Sequence, residues 1–196
     1  MILLAGIFFP LFYILRSSAH FYEFGLTLKR WYVVLPINLI LGGLLLLLFL
    51  SEKPPEGISF DLITFTKITY IFMAGAFEVL FFYCFQRTLF EQAFGMIPGI
   101  ILAALFYSFH HIGFQPEFGK LLWVGLMYAV VSRLGNSAFV IYPFFWGVGG
   151  CYDVLVQSQK VSPIFYSGIR SIYLTISIVA MIIWAWKSAK TKTRHH

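Results

Sequence analysis

Glu78 sits deep in the apolar run Ile71-Phe72-Met73-Ala74-Gly75-Ala76-Phe77-Glu78-Val79-Leu80-Phe81-Phe82-Tyr83, and His110 stands near the end of the next one, Ile100 to His111. An ionisable group at membrane depth costs about 2.5–3.5 kcal/mol on the insertion scale, so its presence is a functional-site hypothesis in itself. The midpoint of positions 78 and 110 is 94, beside Gly95 and close to Pro98-Gly99. A helical hairpin folded there brings the two side chains to one depth. A carboxylate and an imidazole in a water-poor site are what general-base chemistry needs. The competing reading of Glu78 is structural: a carboxylate hydrogen-bonded to a Tyr or to backbone.

His111 follows His110 directly, and neighbours on a helix diverge by about 100°. On that ground one of them faces a given partner. His110 shares its face with Phe106, whereas His111 lies nearer Gly113 and Gln115 and is expected at the external interface. The pair is therefore a poor metal site, and the other internal histidine, His20, falls in a loop on the opposite side. No metal and no cofactor are expected. A third polar region runs from Asn136-Ser137 through Pro143-Phe144-Phe145-Trp146-Gly147-Val148-Gly149-Gly150 to Asp153. Pro143 with the glycines reads as a kinked helix in close contact with another.

These residues need elements to hold them, and composition says which. Of 196 residues 60% are hydrophobic and 11% charged, against roughly 25% charged in soluble domains. With mean hydropathy +0.83, the chain reads as an integral membrane protein. The apolar segments fall at about 1–15, 31–50, 60–86, 97–112, 120–133, 137–157 and 169–186. No barrel-like alternation is present, so the expected fold is all-α, a polytopic bundle of about seven transmembrane helices. Residues 1–190 read as a single membrane domain and 191–196 as a tail whose His195-His196 resembles the remnant of a purification tag. Cys84 and Cys151 form no CxxC pattern.

Nine basic residues (Arg16, Lys29, Arg30, Arg87, Arg133, Lys187, Lys190, Lys192, Arg194) fall on one side of these segments and four (Lys53, Lys120, Lys160, Arg170) on the other, with Lys67 near the start of the third segment. The positive-inside rule puts the N-terminus outside and the C-terminus in the cytoplasm. A prokaryotic plasma membrane is the expected location. The formal charge of +6 is no nucleic-acid signal, because the basic residues sit where membrane topology requires them. Between the first two segments, Phe24-Gly25-Leu26-Thr27-Leu28-Lys29-Arg30-Trp31 reads as a polar cytoplasmic linker, with Trp31 and Tyr32 as headgroup anchors.

In this order the pieces resemble the CAAX protease and bacteriocin-processing (CPBP, or Abi) family of intramembrane glutamic endopeptidases, over positions 20 to 155 or so. The linker is similar to the family's approach to its catalytic core. Glu78-Val79-Leu80-Phe81-Phe82-Tyr83 occupies the place of the E-E-x-x-x-R motif, and Phe106-Tyr107-Ser108-Phe109-His110 matches F-x-x-x-H. The 137–153 segment stands where H-x-x-x-N/D belongs. The resemblance implies that Glu78 is the general base and His110 its partner in activating a water against a peptide bond. It implies a hydrophobic or lipid-modified peptide as substrate, with the bilayer around it.

The chain departs from the pattern at three points: Val79 replaces the second Glu, Tyr83 the Arg, and the third motif has no His. Losing an oxyanion donor costs about 10²–10³ in rate. Trp146, Asn136, Tyr83 or the amides of Gly147–Gly150 are the groups left to line the site and stabilise an oxyanion. Two readings follow: an endopeptidase, or a catalytically degenerate relative that binds a peptide, a lipid or a membrane protein partner. A transporter is set aside, because the polar residues form no path and there is no internal repeat.

Overall fold

The structure is a computed structural model and describes residues 2–16, 21–52, 61–111, 118–145 and 166–193. Seven helical runs fill them: α1 (Ile2–Arg16), α2 (Trp31–Glu52), α3 (Leu62–Phe94), α4 (Met96–His111), α5 (Phe118–Gly135), α6 (Ala138–Phe145) and α7 (Ser167–Thr193). No strand occurs among the described residues. Four helices, α2, α3, α5 and α7, are long and apolar enough to cross a membrane. Their outer faces are dressed for lipid: Leu39, Ile40, Leu44 and Leu47 of α2 and Ile169, Ile172, Tyr173 and Ile176 of α7 are all exposed. In a bilayer those side chains stay out of water, and every helical backbone group is satisfied within its own segment.

α3 is the central helix. It starts at Asp61, whose carboxylate accepts the Thr64 N–H at 2.7 Å, an N-cap of the usual kind. It runs as α-helix to Glu78, as π-helix over Val79–Gln86, and as α-helix again over Arg87–Phe94. The wider π turn shifts the phase of the side chains, and six of its eight residues are buried. Val79, Leu80, Phe82 and Tyr83 form the middle of the core with Ile7 and Leu11 of α1, Tyr107 of α4, Tyr128 of α5 and Phe144 of α6. The expected 60–86 segment thus continues as helix to Phe94. Arg87, read from the sequence as a loop cation, is buried within it at 2% exposure. The helix tolerates it because the guanidinium is paired: Nε donates to Tyr83 O at 2.7 Å and a terminal NH₂ to Glu91 Oε1 at 2.5 Å. Glu91 Oε2 also takes Arg133 Nε at 3.2 Å.

One residue joins α3 to α4. Gly95 has φ +90° and donates its N–H to Glu91 O at 3.0 Å; that conformation is open to glycine at little cost. Pro98 falls in the first turn of α4, where its missing N–H costs no helical bond. α4 and α5 are in turn joined near the other end of α4, where Ser108 Oγ donates to Phe118 O at 3.0 Å. The two helices cross closely at Gly125, where a Cβ would stand 3.1 Å from Ala104 O. The 137–157 segment is seen as α6 over Ala138–Phe145; its remainder, with Trp146, Gly147–Gly150 and Asp153, lies outside the described residues. At the C-terminus α7 continues to Thr193, into the stretch assigned to the tail.

The segment before α2 is folded onto the bundle, contrary to its reading as a plain linker. Phe24 is 1% exposed and its ring stacks on Phe85 with centroids 5.9 Å apart. Gly25 O accepts the Ala138 N–H at 2.8 Å, Tyr22 O accepts Asn136 Nδ2 at 3.2 Å, and Thr27 O accepts Ser137 Oγ. These bonds bring the segment to the same end of the bundle as Arg87, Glu91 and Arg133. α7 begins beside the start of α3, with Ser171 Oγ on Thr66 O at 3.0 Å. It therefore runs parallel to α3 and carries Lys187 to that same end. Lys29, Arg30, Arg87, Arg133 and Lys187, grouped by counting along the chain, lie toward one end of the bundle.

Candidate functional site

The hairpin about Gly95 decides what meets Glu78. α4 holds sixteen residues, about 24 Å of α-helix, and Glu78 stands sixteen residues before the end of α3, so the two arms of the hairpin are matched in residue count. Glu78 and the last two residues of α4 consequently arrive at one level. Glu78 Oε1 lies 3.5 Å from His111 Nε2 and 4.0 Å from His110 Nε2. Glu78 and His111 are 16% and 17% exposed, and His110 is 37% exposed. Among the described residues Glu78 has no Lys or Arg partner.

The expectation that one histidine alone can face Glu78 is corrected here. The backbone directions diverge by about 100°, but the carboxylate stands between two long side chains, and each ring turns inward to it. The ring centroids are 5.0 Å apart and the planes nearly perpendicular, at 85°. His111, expected at the external interface, is the closer and the better buried of the two. It is also the better anchored: Nδ1 is 3.0 Å from Tyr107 O. A carbonyl only accepts, so Nδ1 carries the proton of that bond and Nε2 is the atom presented to Glu78. The Tyr107 ring backs the imidazole at 4.5 Å. His110 is held by ring edges, 5.2 Å from Phe77 and 5.4 Å from Phe82. The premise on which a metal was set aside fails with it, since one donor atom from each of Glu78, His110 and His111 lies within 4.8 Å of the others.

The π-helix starts immediately after Glu78. Such turns interrupt the regular ladder and recur at functional sites. Nothing in the apolar pattern signals it, since Val79–Phe85 shows no polar face whose phase could shift.

The remaining site candidates are placed elsewhere. Tyr83 is fully buried between Tyr107 and Tyr128, with centroids 5.5 and 5.7 Å away. Phe106, matched to the second motif, is half exposed and packs on Phe90 at 5.5 Å, not against the carboxylate. Asn136 serves the fold. It has φ +41°, closes α5 with its N–H on Ser132 O at 2.8 Å, and spends its amide on Tyr22 O. A left-handed residue after a helix is a common stop, and Asn tolerates it. Asn136 stands at the end of α5 away from Ser108 and the histidines, about 27 Å along the helix from Phe118. Trp146 lies outside the described residues.

Against the same turn of α3 lies a cavity of about 680 Å³, walled by Leu11, Leu26, Ala76, Leu80, Tyr142 and Ile182 among others. Its lining is almost wholly apolar. Asn38, missed by the sequence reading, is a polar residue that holds the bundle near it: buried in α2, it donates Nδ2 to Val140 O at 2.7 Å.

No protein-family model, curated protein or solved structure matches the chain.

Proposed function

We propose that the chain is a membrane-embedded hydrolase of the CPBP-like glutamic kind, in which Glu78 and the paired imidazoles activate a water against a peptide bond. The observation that carries the reading is the approach of Glu78 Oε1 to the two Nε2 atoms, 3.5 and 4.0 Å. These distances exceed a direct hydrogen bond, but a water about 2.8 Å from each atom fits off the line between them. Glu78 takes the proton of that water, and the hydroxide adds to the carbonyl carbon. The proton then passes to the leaving amine. His111, fixed through Tyr107, orients the water. His110, more open to the substrate side, donates to the oxyanion that the missing third-motif His would otherwise bind. The order of the motifs and the apolar cavity beside the site support a hydrophobic or lipid-modified peptide as substrate. The charge distribution supports a plasma-membrane protein with its C-terminus in the cytoplasm.

A second reading is favoured by one observation, the cavity itself. Its volume falls in the range of about 300–1,000 Å³ typical of ligand pockets, and among the described residues Asn136 is committed to the fold and brings no oxyanion donor to Glu78. Such a protein would bind a hydrophobic peptide or membrane partner without turning it over. A peptidase assay on purified protein, with prenylated and unmodified peptides, separates the two. The hydrolase reading expects cleavage that Glu78→Gln abolishes. Cleavage undiminished in Glu78→Gln would remove this mechanism, and binding without turnover would establish the second reading.

A further inference from the structure

We propose that Glu78, His110 and His111 form a binding site for a divalent first-row transition ion of the zinc class. This goes beyond the Glu–His reading and does not depend on hydrolysis. Two observations carry it independently. The first is spacing. Zinc bonds of about 2.0–2.2 Å to nitrogen and oxygen, at a tetrahedral angle, set N···O at about 3.4 Å. Glu78 Oε1 to His111 Nε2 is 3.5 Å and to His110 Nε2 4.0 Å, and one donor atom from each of the three residues lies within 4.8 Å of the others, so the two rings need to close inward on the carboxylate to complete the set.

The second observation is the direction of the lone pairs. The Nδ1–H of His111 is taken by Tyr107 O at 3.0 Å, which leaves Nε2 aimed at a carboxylate oxygen. Two acceptors that face each other are satisfied by a bridging water, by a proton or by a cation, and a cation draws on the lone pairs of all three groups at once. The same bond is the outer-shell support that metal-bound histidines almost always have, a ring N–H on a backbone carbonyl that fixes the tautomer. Imidazole and carboxylate together suit zinc, iron, nickel and copper more than magnesium or calcium. Among the described residues no thiolate competes, for Cys84 is buried in the core. Three protein ligands leave a fourth position for water, the arrangement of open zinc sites.

The test is a Co²⁺ titration of the purified full chain in detergent, after chelation and dialysis. It is done on a His195→Ala/His196→Ala background, because terminal histidines bind metal on their own. The expected result is one equivalent bound with the visible absorption of four-coordinate Co²⁺, displaced by Zn²⁺. Glu78→Gln and His111→Ala should each weaken binding by more than the roughly 10–100-fold that outer-shell changes cost. Should His111→Ala fail to fold, the titration of the background protein with Glu78→Gln still decides. No stoichiometric binding, or binding that both variants leave unchanged, overturns the proposal. Failure of the titration together with Glu78-dependent hydrolysis by metal-free protein, untouched by chelator, overturns it while leaving the Glu–His reading intact. Stoichiometric, variant-sensitive binding supports the site, and the peptidase assay decides the hydrolase reading separately.

Discussion

At the scale of the residue, His111 and His110 are unequal despite being adjacent. His111 is closer to Glu78, half as exposed, and tied to Tyr107 O. If a Glu–His pair activates water, His111→Ala should cost more than His110→Ala, within the roughly 10²–10⁴-fold that a positioned acid or base contributes. Initial rates of peptide cleavage by the two variants in micelles measure this; a larger loss in His110→Ala would reverse the assignment. Arg87 gives a prediction about stability. It is 2% exposed and joined to Glu91, which is 16% exposed. Removing one partner of a buried pair costs about 3–5 kcal/mol, since the other is left uncompensated. Arg133 makes the outer bond to the same carboxylate from a 44% exposed position, and pairs of that kind are worth about 0–1 kcal/mol. Thermal unfolding in detergent should therefore show Arg87→Ala far below Arg133→Ala. Equal effects would mean that Arg87 is hydrated in solution.

At the scale of the element, the site depends on the α3–α4 hairpin holding its register. The hairpin closes so tightly that a Cβ on Gly99 would stand 2.7 Å from the Glu91 backbone nitrogen. Backbone cannot swing aside as a side-chain tip can. Gly99→Ala should cost about 1–3 kcal/mol, as overpacking does, and should tilt α4 enough to separate its terminal histidines from Glu78. Gly43 in α2 has nothing within 4 Å, so Gly43→Ala serves as the control and should leave stability unchanged or slightly raised. The readout is unfolding temperature together with Glu78-dependent activity or metal affinity. A tolerated Gly99→Ala would show that the hairpin is looser than drawn.

At the scale of the whole molecule, Lys29, Arg30, Arg87, Arg133 and Lys187 collect at one end of the bundle, through the bonds of the 21–28 segment and the parallel course of α7. From the positive-inside rule we predict that this end faces the cytoplasm. Single cysteines at Lys53 and Lys190, in a background without Cys84 and Cys151, test it in intact cells. An impermeant thiol reagent should label position 53 and spare position 190. Equal labelling would reject the topology.

Much of this was written along the chain. The seven apolar segments are helical over their described residues, because a lipid environment leaves the backbone little else. Depth could also be read, since a helix advances by a fixed rise. Counting outward from Gly95 carries Glu78 and His110 to one level, and the charge count groups the basic residues that the fold brings to one end. What counting cannot supply is the neighbour across a helix boundary. The angle between His110 and His111 is a property of one helix, whereas their convergence depends on a carboxylate from another. Arg87 looks like the end of a span until Glu91 and the Tyr83 carbonyl are seen to neutralise and satisfy it. Asn136 looks like a site residue until its positive φ and its bond to Tyr22 show it closing a helix. The 21–28 segment looks polar and solvated until Phe24 is found beneath Phe85. In each case the side chain's type was legible, and its role was decided by a partner far away in sequence, which tertiary packing alone could bring within reach.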